Sequence, residues 1–277
     1  LVNGSVWRVT SPDARNEYCI HVFTMDGTEL NRFHDAGGIG GIEANEGLAV
    51  GDVNGDGRDE IVHGDRHDDH IYIFDMYGHQ VGSDFDVGYE QEDRLAVGDV
   101  ARSHGTDEIV LADDSTGYIH IFDMYGCLIN KFYNAGGIGD IEANEGLAVG
   151  DVNGDGRDEI IHGDRHDDCI YVFDANGNLL NRPFDVGYEQ EDELAVGDVN
   201  GDGRDEIILG DASEERICIY NMEGRVLRQF SRDFESGDSL AVGDVNGDGR
   251  DKIIHGDHFA DRIHVLPVYL TSEDLSH

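Results

Sequence analysis

The chain repeats itself, and the repeat limits what it can fold into. The string Leu-Ala-Val-Gly-Asp begins at Leu48, Leu95, Leu147, Leu194 and Leu240, at spacings of 47, 52, 47 and 46 residues. A second string follows in each unit. It reads Ile71-Tyr72-Ile73-Phe74, Ile119-His120-Ile121-Phe122 and Ile170-Tyr171-Val172-Phe173, with weaker copies at Ile217-Cys218-Ile219-Tyr220 and Ile263-His264-Val265-Leu266. An extra copy, Ile20-His21-Val22-Phe23, precedes the first Leu-Ala-Val-Gly-Asp and marks a headless N-terminal unit. A period of about 48 residues is the mark of stacked supersecondary units that cannot bury their apolar faces alone. A two-unit super-repeat overlies it. Gly37-Gly38-Ile39-Gly40 and the segment 43–47 recur at 136–139 and 142–146, and the segment 85–93 recurs at 184–192, all at an offset of 99 residues.

Each unit reads as four short strands, in the first full unit 47–52, 60–64, 70–75 and a weaker 80–85. The 38 glycines against 3 prolines supply the turns between them. No long amphipathic helix is legible. The strands are near-continuous apolar runs, so both faces of each small sheet should be buried. Radially stacked four-stranded antiparallel blades meet that requirement, whereas a two-sheet sandwich would show in/out alternation. The fold expected is therefore all-β: a single β-propeller domain over residues 1–277, six-bladed, with a partial N-terminal blade at 1–36.

A nine-residue acidic loop follows each first strand. Asp52, Asn54, Asp56 and Glu60 stand at positions 1, 3, 5 and 9, and the Arg58 carbonyl can fill a seventh-position role. Ca²⁺ takes six to eight oxygens at about 2.3–2.6 Å, and alternate residues of a tight loop turn their oxygens to one centre. The pattern recurs as Asp151, Asn153, Asp155, Arg157 and Glu159, and as Asp198, Asn200, Asp202, Arg204 and Glu206. A fourth copy, Asp244, Asn246, Asp248 and Arg250, has Lys252 where Glu stood, and a weaker site helped by Asp251 is expected there. In the second repeat Asp99 is followed by Ala101-Arg102-Ser103-His104, and no ion is expected. The reading is three strong calcium sites and a weaker fourth. An EF-hand shares the opening of the loop but runs to a ligand at position 12 between helices.

On these residues the units resemble the FG-GAP or VCBS-type calcium-binding repeats of integrin-α-like propellers. Similar blades occur in some fungal lectins and in rhamnogalacturonan lyases. The resemblance covers the five units from Leu48 to about Leu266, most closely at 51–64, 150–163 and 197–210. Glu-Gly-Leu replaces the family's Phe-Gly pair, and His63-Gly64-Asp65 stands where Gly-Ala-Pro is usual. The resemblance implies the propeller and calcium; it does not choose a partner, since such folds host many functions.

Charge excludes some partners. Asp plus Glu is 60 and Lys plus Arg 19, a formal charge of −41. A nucleic-acid binder needs the opposite sign. No apolar run approaches the roughly 20 residues of a membrane helix. The four cysteines, Cys19, Cys127, Cys169 and Cys218, fall in different repeats and are expected as free thiols. The compartment adopted is extracellular or secreted, although free thiols count against it.

At the blade end opposite the acidic loops, the sequence collects Arg66, His67, Tyr89 and Glu90, and again Arg165, His166, Tyr188 and Glu189. These are side chains suited to a polar sugar or peptide site. His63/Asp65/His67 and His162/Asp164/His166 suggest a transition-metal site, with hydrogen bonding in the turn as the plainer reading. No Ser-His-Asp arrangement or phosphate-binding Gly loop is legible. The function expected is non-enzymatic recognition of a glycan or a protein. The rival is a polysaccharide lyase or hydrolase with its site on the same end.

Overall fold

The computed structural model describes residues 5–7, 19–24, 27–33, 46–101, 105–133, 145–231, 233–260 and 262–268, with side chains described from residue 19 onward. The Gly-Gly-Ile-Gly segments, most of the glutamate-rich segments after them and residues 102–104 lie outside this set. The described residues fall into two compact units, one reaching Tyr133 and one running from Glu145 onward.

The first unit opens with β1 (Ser5–Trp7), β2 (Ile20–Phe23) and β3 (Glu29–Phe33), an antiparallel three-stranded sheet. Then comes a four-stranded blade, β4 (Gly47–Gly51), β5 (Glu60–Asp65), β6 (His70–Phe74) and β7 (Phe85–Asp86). A second follows, β8 (Arg94–Gly98), β9 (Glu108–Asp113), β10 (Tyr118–Phe122) and β11 (Leu128–Tyr133). The second unit holds β12 (Gly146–Gly150), β13 (Glu159–Asp164), β14 (Cys169–Phe173) and β15 (Phe184–Asp185) as one blade. The next is β16 (Glu193–Gly197), β17 (Glu206–Asp211), β18 (Arg216–Tyr220) and β19 (Val226–Ser231). The last has three strands, β20 (Ser239–Gly243), β21 (Lys252–Asp257) and β22 (Arg262–Leu266).

The fold is an all-β propeller of four-stranded antiparallel blades, but the count of six is corrected. Five blades begin on a Leu-Ala-Val-Gly strand, four of them complete. Among the described residues the N-terminal sheet has no such strand, and that strand is the surface on which neighbouring blades stack.

Burial explains why the strands are apolar throughout. Every residue of β5, β9, β13 and β17 is buried, and within each unit neighbouring sheets share one core layer. One core layer joins Val62, Ile71 and Ile73 to Tyr89, Ile109 and Leu111. Its counterpart in the second unit joins Ile161, Ile170 and Val172 to Tyr188, Ile207 and Leu209. Each fully buried aliphatic side chain contributes about 1.5–3 kcal/mol by leaving water.

The super-repeat appears in the outer strands. β7 and β15 have two residues each, whereas β11 and β19 have six. The expected strand at 80–85 is thus mostly loop, with one isolated bridge from Gln80 to Phe74. Gly82 at φ 76° and, in the later copy, Pro183, which aligns with Asp84, interrupt the ladder there.

The four cysteines, all among the described residues, are thiols and not disulfides.

Candidate functional site

The first carboxylate of each acidic loop organises the loop backbone. Asp52 accepts the Asp56 N–H on Oδ1 at 3.0 Å and the Gly57 N–H on Oδ2 at 2.8 Å. Asp151 accepts from Asp155 and Gly156 at 3.0 and 2.8 Å, and Asp198 from Asp202 and Gly203 at 3.1 and 2.9 Å. The turn needs two left-handed residues, and glycine supplies them: Gly55 and Gly57 have φ of 74° and 82°. Val53, Val152 and Val199 at position 2 are buried and anchor each loop to the core.

Position 9 closes the loop from the first residue of the second strand. Glu60 accepts the Asn54 side-chain N–H on Oε1 at 2.6 Å and its backbone N–H on Oε2 at 3.3 Å. Glu159 holds Asn153 in the same way at 2.6 and 3.1 Å. Glu206 does so with Asn200, whose backbone N–H lies at 3.2 Å. These glutamates are buried beside other carboxylates. Burial first, then Asp202 and Asp198, push the Glu206 carboxyl up to about 8. Burial, with Asp56, Asp52 and Asp59 adding to it, takes Glu60 to about 7, and Glu159 rises to about 7 in the same way.

This donor set fits a hard cation. It offers carboxylate and amide oxygens in a tight loop, the ligands Ca²⁺ selects. The Asn200 Oδ1, at position 3, is a buried acceptor without a hydrogen-bond donor. An unmatched buried acceptor facing acidic neighbours is costly unless a cation takes it up.

The loop between β20 and β21 is different. Lys252 is buried, and its Nζ donates to Asp248 Oδ1 at 2.9 Å and to the Arg250 carbonyl. Those are the position-5 carboxylate and position-7 carbonyl expected to ligate calcium, so the ammonium stands on the would-be ligands. The electrostatics invert. The Lys252 hydrogen bond lowers Asp248, and the Gly249 amide lowers Asp244. Asp251, expected to help a weak ion here, is turned away: its Oδ2 accepts the Asp198 N–H at 3.0 Å. In the β8–β9 loop, Glu108 accepts the Ala101 N–H at 2.7 Å.

Sequence reasoning missed the role of position 8. Asp107 accepts the Asp52 N–H at 2.8 Å and returns a backbone hydrogen bond to the Asp52 carbonyl at 3.0 Å. Asp205 does the same to Asp151, and Asp251 to Asp198. Each thereby staples its loop to the previous blade's loop. The invariant Gly51 was the available signal, since a Cβ there would lie 2.6 Å from Asp107 Oδ2. The position-7 arginines also reach backwards. Arg204 lies over Gly154, and Arg250 over Gly201.

At the opposite blade end the structure separates the candidates. Tyr89 and Tyr188 are 0% and 1% exposed, so they are core residues rather than part of an open face. Tyr89 lies flat on glycines; a Cβ on Gly64 would come within 2.4 Å of its ring. Its hydroxyl donates to the Asp93 carbonyl at 3.3 Å, and Tyr188 repeats this with Asp192 at 3.2 Å. Arg66 donates to Gln91 at 2.8 Å, which brings the β5–β6 and β7–β8 loops together. His67, Glu90, His166 and Glu189 are exposed, and Arg66 and Arg165 are half-buried.

Residues 151–209 and 198–255 match the FG-GAP-like repeat. No curated protein sequence is significantly similar to the chain. Among solved structures, BBS1N in complex with ARL6DN has a TM-score of 0.58 at 14% identity, over 97% of this chain and 80% of that one. An Agrocybe aegerita lectin, described as recognising non-reducing terminal N-acetylglucosamine, has a TM-score of 0.53 at 16% identity over 85% and 68%. Virginiamycin B lyase from Staphylococcus aureus has 0.52 at 10% identity over 98% and 90%. Identities this low carry the fold alone. No helix among the described residues is long and apolar enough to cross a membrane. The chain is thus a β-propeller of four-stranded blades whose residues 151–255 carry FG-GAP-like repeats.

Proposed function

We propose that the chain is a calcium-built recognition module: three ions brace one end of the blades and the other end binds a glycan or a protein. The observation that carries the calcium half is Lys252. Where the ninth position is not glutamate, it is a buried cation on the same oxygens. A loop that retains a positive charge there in one copy and a carboxylate in three others is built around a cation in all four. In the three, Asp52, Asn54, Asp56 and Glu60, with their counterparts at 151–159 and 198–206, hold Ca²⁺ together with the Arg58, Arg157 and Arg204 carbonyls. The ion supplies charge neutralisation and a fixed loop shape. The loop at 244–252 is satisfied by Lys252, so the weak fourth site gives way to an internal ammonium.

Recognition is favoured over catalysis by the burial of Tyr89 and Tyr188. That removes the two phenols from the groups a substrate could meet, and leaves exposed His67, Glu90, His166 and Glu189 beside Arg66 and Arg165. The fold is shared with a lectin and with a lyase. Extracellular calcium modules bind at about 10⁻⁴–10⁻³ M, and an extracellular setting is part of the proposal. A glycan array run beside a panel of polysaccharide substrates tests it. Binding lost on replacing Arg66 and Arg165, without turnover, is expected. Product formation abolished by His67→Ala or His166→Ala would make the protein an enzyme.

A further inference from the structure

The acidic loops leave unused two histidines at the other end of the blades. His63 on β5 and His162 on β13 are 2% and 1% exposed. Each stands beside the glutamate that precedes its inner strand, Glu46 or Glu145, and beside the aspartate that ends its own strand, Asp65 or Asp164. In both trios one nitrogen or oxygen from each residue lies within 4.8 Å of the other two, and all six residues are buried. One trio belongs to each compact unit, at the same place in the blade.

Hydrogen bonding sets the orientation of the rings. His63 Nδ1 is 3.3 Å from the Gly47 carbonyl, and His162 Nδ1 is 3.1 Å from the Gly146 carbonyl. A carbonyl only accepts, so Nδ1 carries a proton and Nε2 is the ring nitrogen turned to the glutamate. Nε2 faces Glu46 Oε2 at 3.5 Å, and in the other blade Glu145 Oε2 at 3.4 Å. Both distances are wider than a charge-assisted hydrogen bond, which closes to about 2.7–2.9 Å. The last blade shows that closed form: His255 Nε2 lies 2.7 Å from Asp238 Oδ2. A tetrahedral ion bonded at about 2.0–2.1 Å holds its ligand atoms about 3.3–3.4 Å apart, which is the wider spacing.

We propose that Glu46, His63 and Asp65, and likewise Glu145, His162 and Asp164, form two sites for a tetrahedral transition-metal ion of the zinc class. The Nδ1 contact to a backbone carbonyl is the outer-shell partner a metal-bound histidine uses. Asp65 and Asp164 are held in place by amides, Oδ1 accepting from His67 at 2.8 Å and from His166 at 2.7 Å. A water fills the fourth position, or in the second site His166, whose Nδ1 is 3.9 Å from Glu145 Oε1. The other blades supply the contrast. Where leucine replaces the histidine, at Leu111 and Leu209, the glutamate is also shortened, to Asp93 and Asp192. Those aspartates cap backbone amides instead, of Glu90 and Asp114 at 2.8 and 2.9 Å, and of Glu189 and Ala212 at 2.9 Å each. Glutamate with histidine is thus confined to the two trios, and the last blade pairs His255 with the shorter Asp238.

The test uses the full chain, stripped by chelator, saturated with calcium, and titrated with Co²⁺ as a coloured stand-in for zinc. Metal content is followed by elemental analysis. Two cobalt ions per chain are expected, one per trio, with the strong visible absorption of tetrahedral cobalt and its loss on adding Zn²⁺. His63→Gln and His162→Gln should each remove one ion, and His255→Gln none. Glu46→Gln and Glu145→Gln keep the side-chain shape, and each should weaken its site by more than the roughly 10–100-fold that loss of an outer-shell partner produces. They carry the test if the histidine variants fail to fold. Weak octahedral absorption, or cobalt uptake unchanged in the double glutamine variant, would overturn the proposal. The calcium count in the same samples reports on the acidic loops separately, through different residues.

Discussion

The loops after β16 and β20 share eight of their nine residues and differ only in Glu206 against Lys252. In the first, a buried carboxylate is forced up to about 8 among other acids, and Asn200 keeps an unmatched buried oxygen. In the second, a buried ammonium lowers Asp248 and ties it to the Arg250 carbonyl. On the reading proposed above, this one residue decides whether the loop carries its own cation or takes one from solution. The rest of the nine-residue motif is scaffolding common to both.

The sharpest way to break this comparison is to exchange the two residues. Lys252→Glu should add one calcium per chain by calorimetry, and Glu206→Lys should remove one. In chelator the first should melt lower than wild type and the second higher. An unchanged stoichiometry in both would dissolve the distinction. Removing the ammonium without replacing it, by Lys252→Met, should cost about 1–3 kcal/mol in denaturant unfolding, the penalty for stranding buried hydrogen-bond partners.

The packing at the other blade end allows an independent test. Gly64→Ala places a methyl within 2.4 Å of the Tyr89 ring, and overpacking of this kind costs about 1–3 kcal/mol. A variant as stable as wild type would mean the tyrosine is not locked there.

The pH dependence follows from the raised glutamates. In the metal-free protein Glu60, Glu159 and Glu206 titrate near 7, 7 and 8, above the 4.5 of an unperturbed glutamate. The folded state therefore binds more protons between those limits. Stability should fall as pH rises from about 4.5 to about 8 and level off above, the opposite of an ordinary paired carboxylate. Saturating calcium should flatten that slope, and melts across this range with and without calcium would read it. The smallest expected effect is in the staple between loops. Asp251→Asn removes the charge but leaves an oxygen for the Asp198 amide, so a loss of about 0.5–1.5 kcal/mol is expected.

The parts of this molecule legible in its sequence are those set by local periodicity. The β5 and β6 strands and the acidic loops fall where the apolar runs and the Asp-Asn-Asp spacing put them, because the period of the chain matches the geometry of the blade. Blade count was not legible, because it depends on whether the N-terminal segment supplies an inner strand. The outer strand at 80–85 was overestimated, since one positive-φ glycine, Gly82, ends a ladder that propensity alone would extend. Tyr89 and Tyr188 were misread because acidic neighbours make a tyrosine look solvated. Their burial depends on Gly47 and Gly64, and on Gly146 and Gly163, leaving room in the facing blade. Position 8 was missed for a similar reason: its partner is about 50 residues away, beyond any local pattern.

The central claim is that three of these loops are built around a cation that the chain does not supply. Calorimetric titration of the chelator-treated protein with calcium, paired with melts in calcium and in chelator, tests it most directly. The account predicts three ions, no uptake at the loop containing Lys252, and a large drop in melting temperature in chelator. A protein that takes up no calcium and melts at the same temperature in both conditions would contradict it.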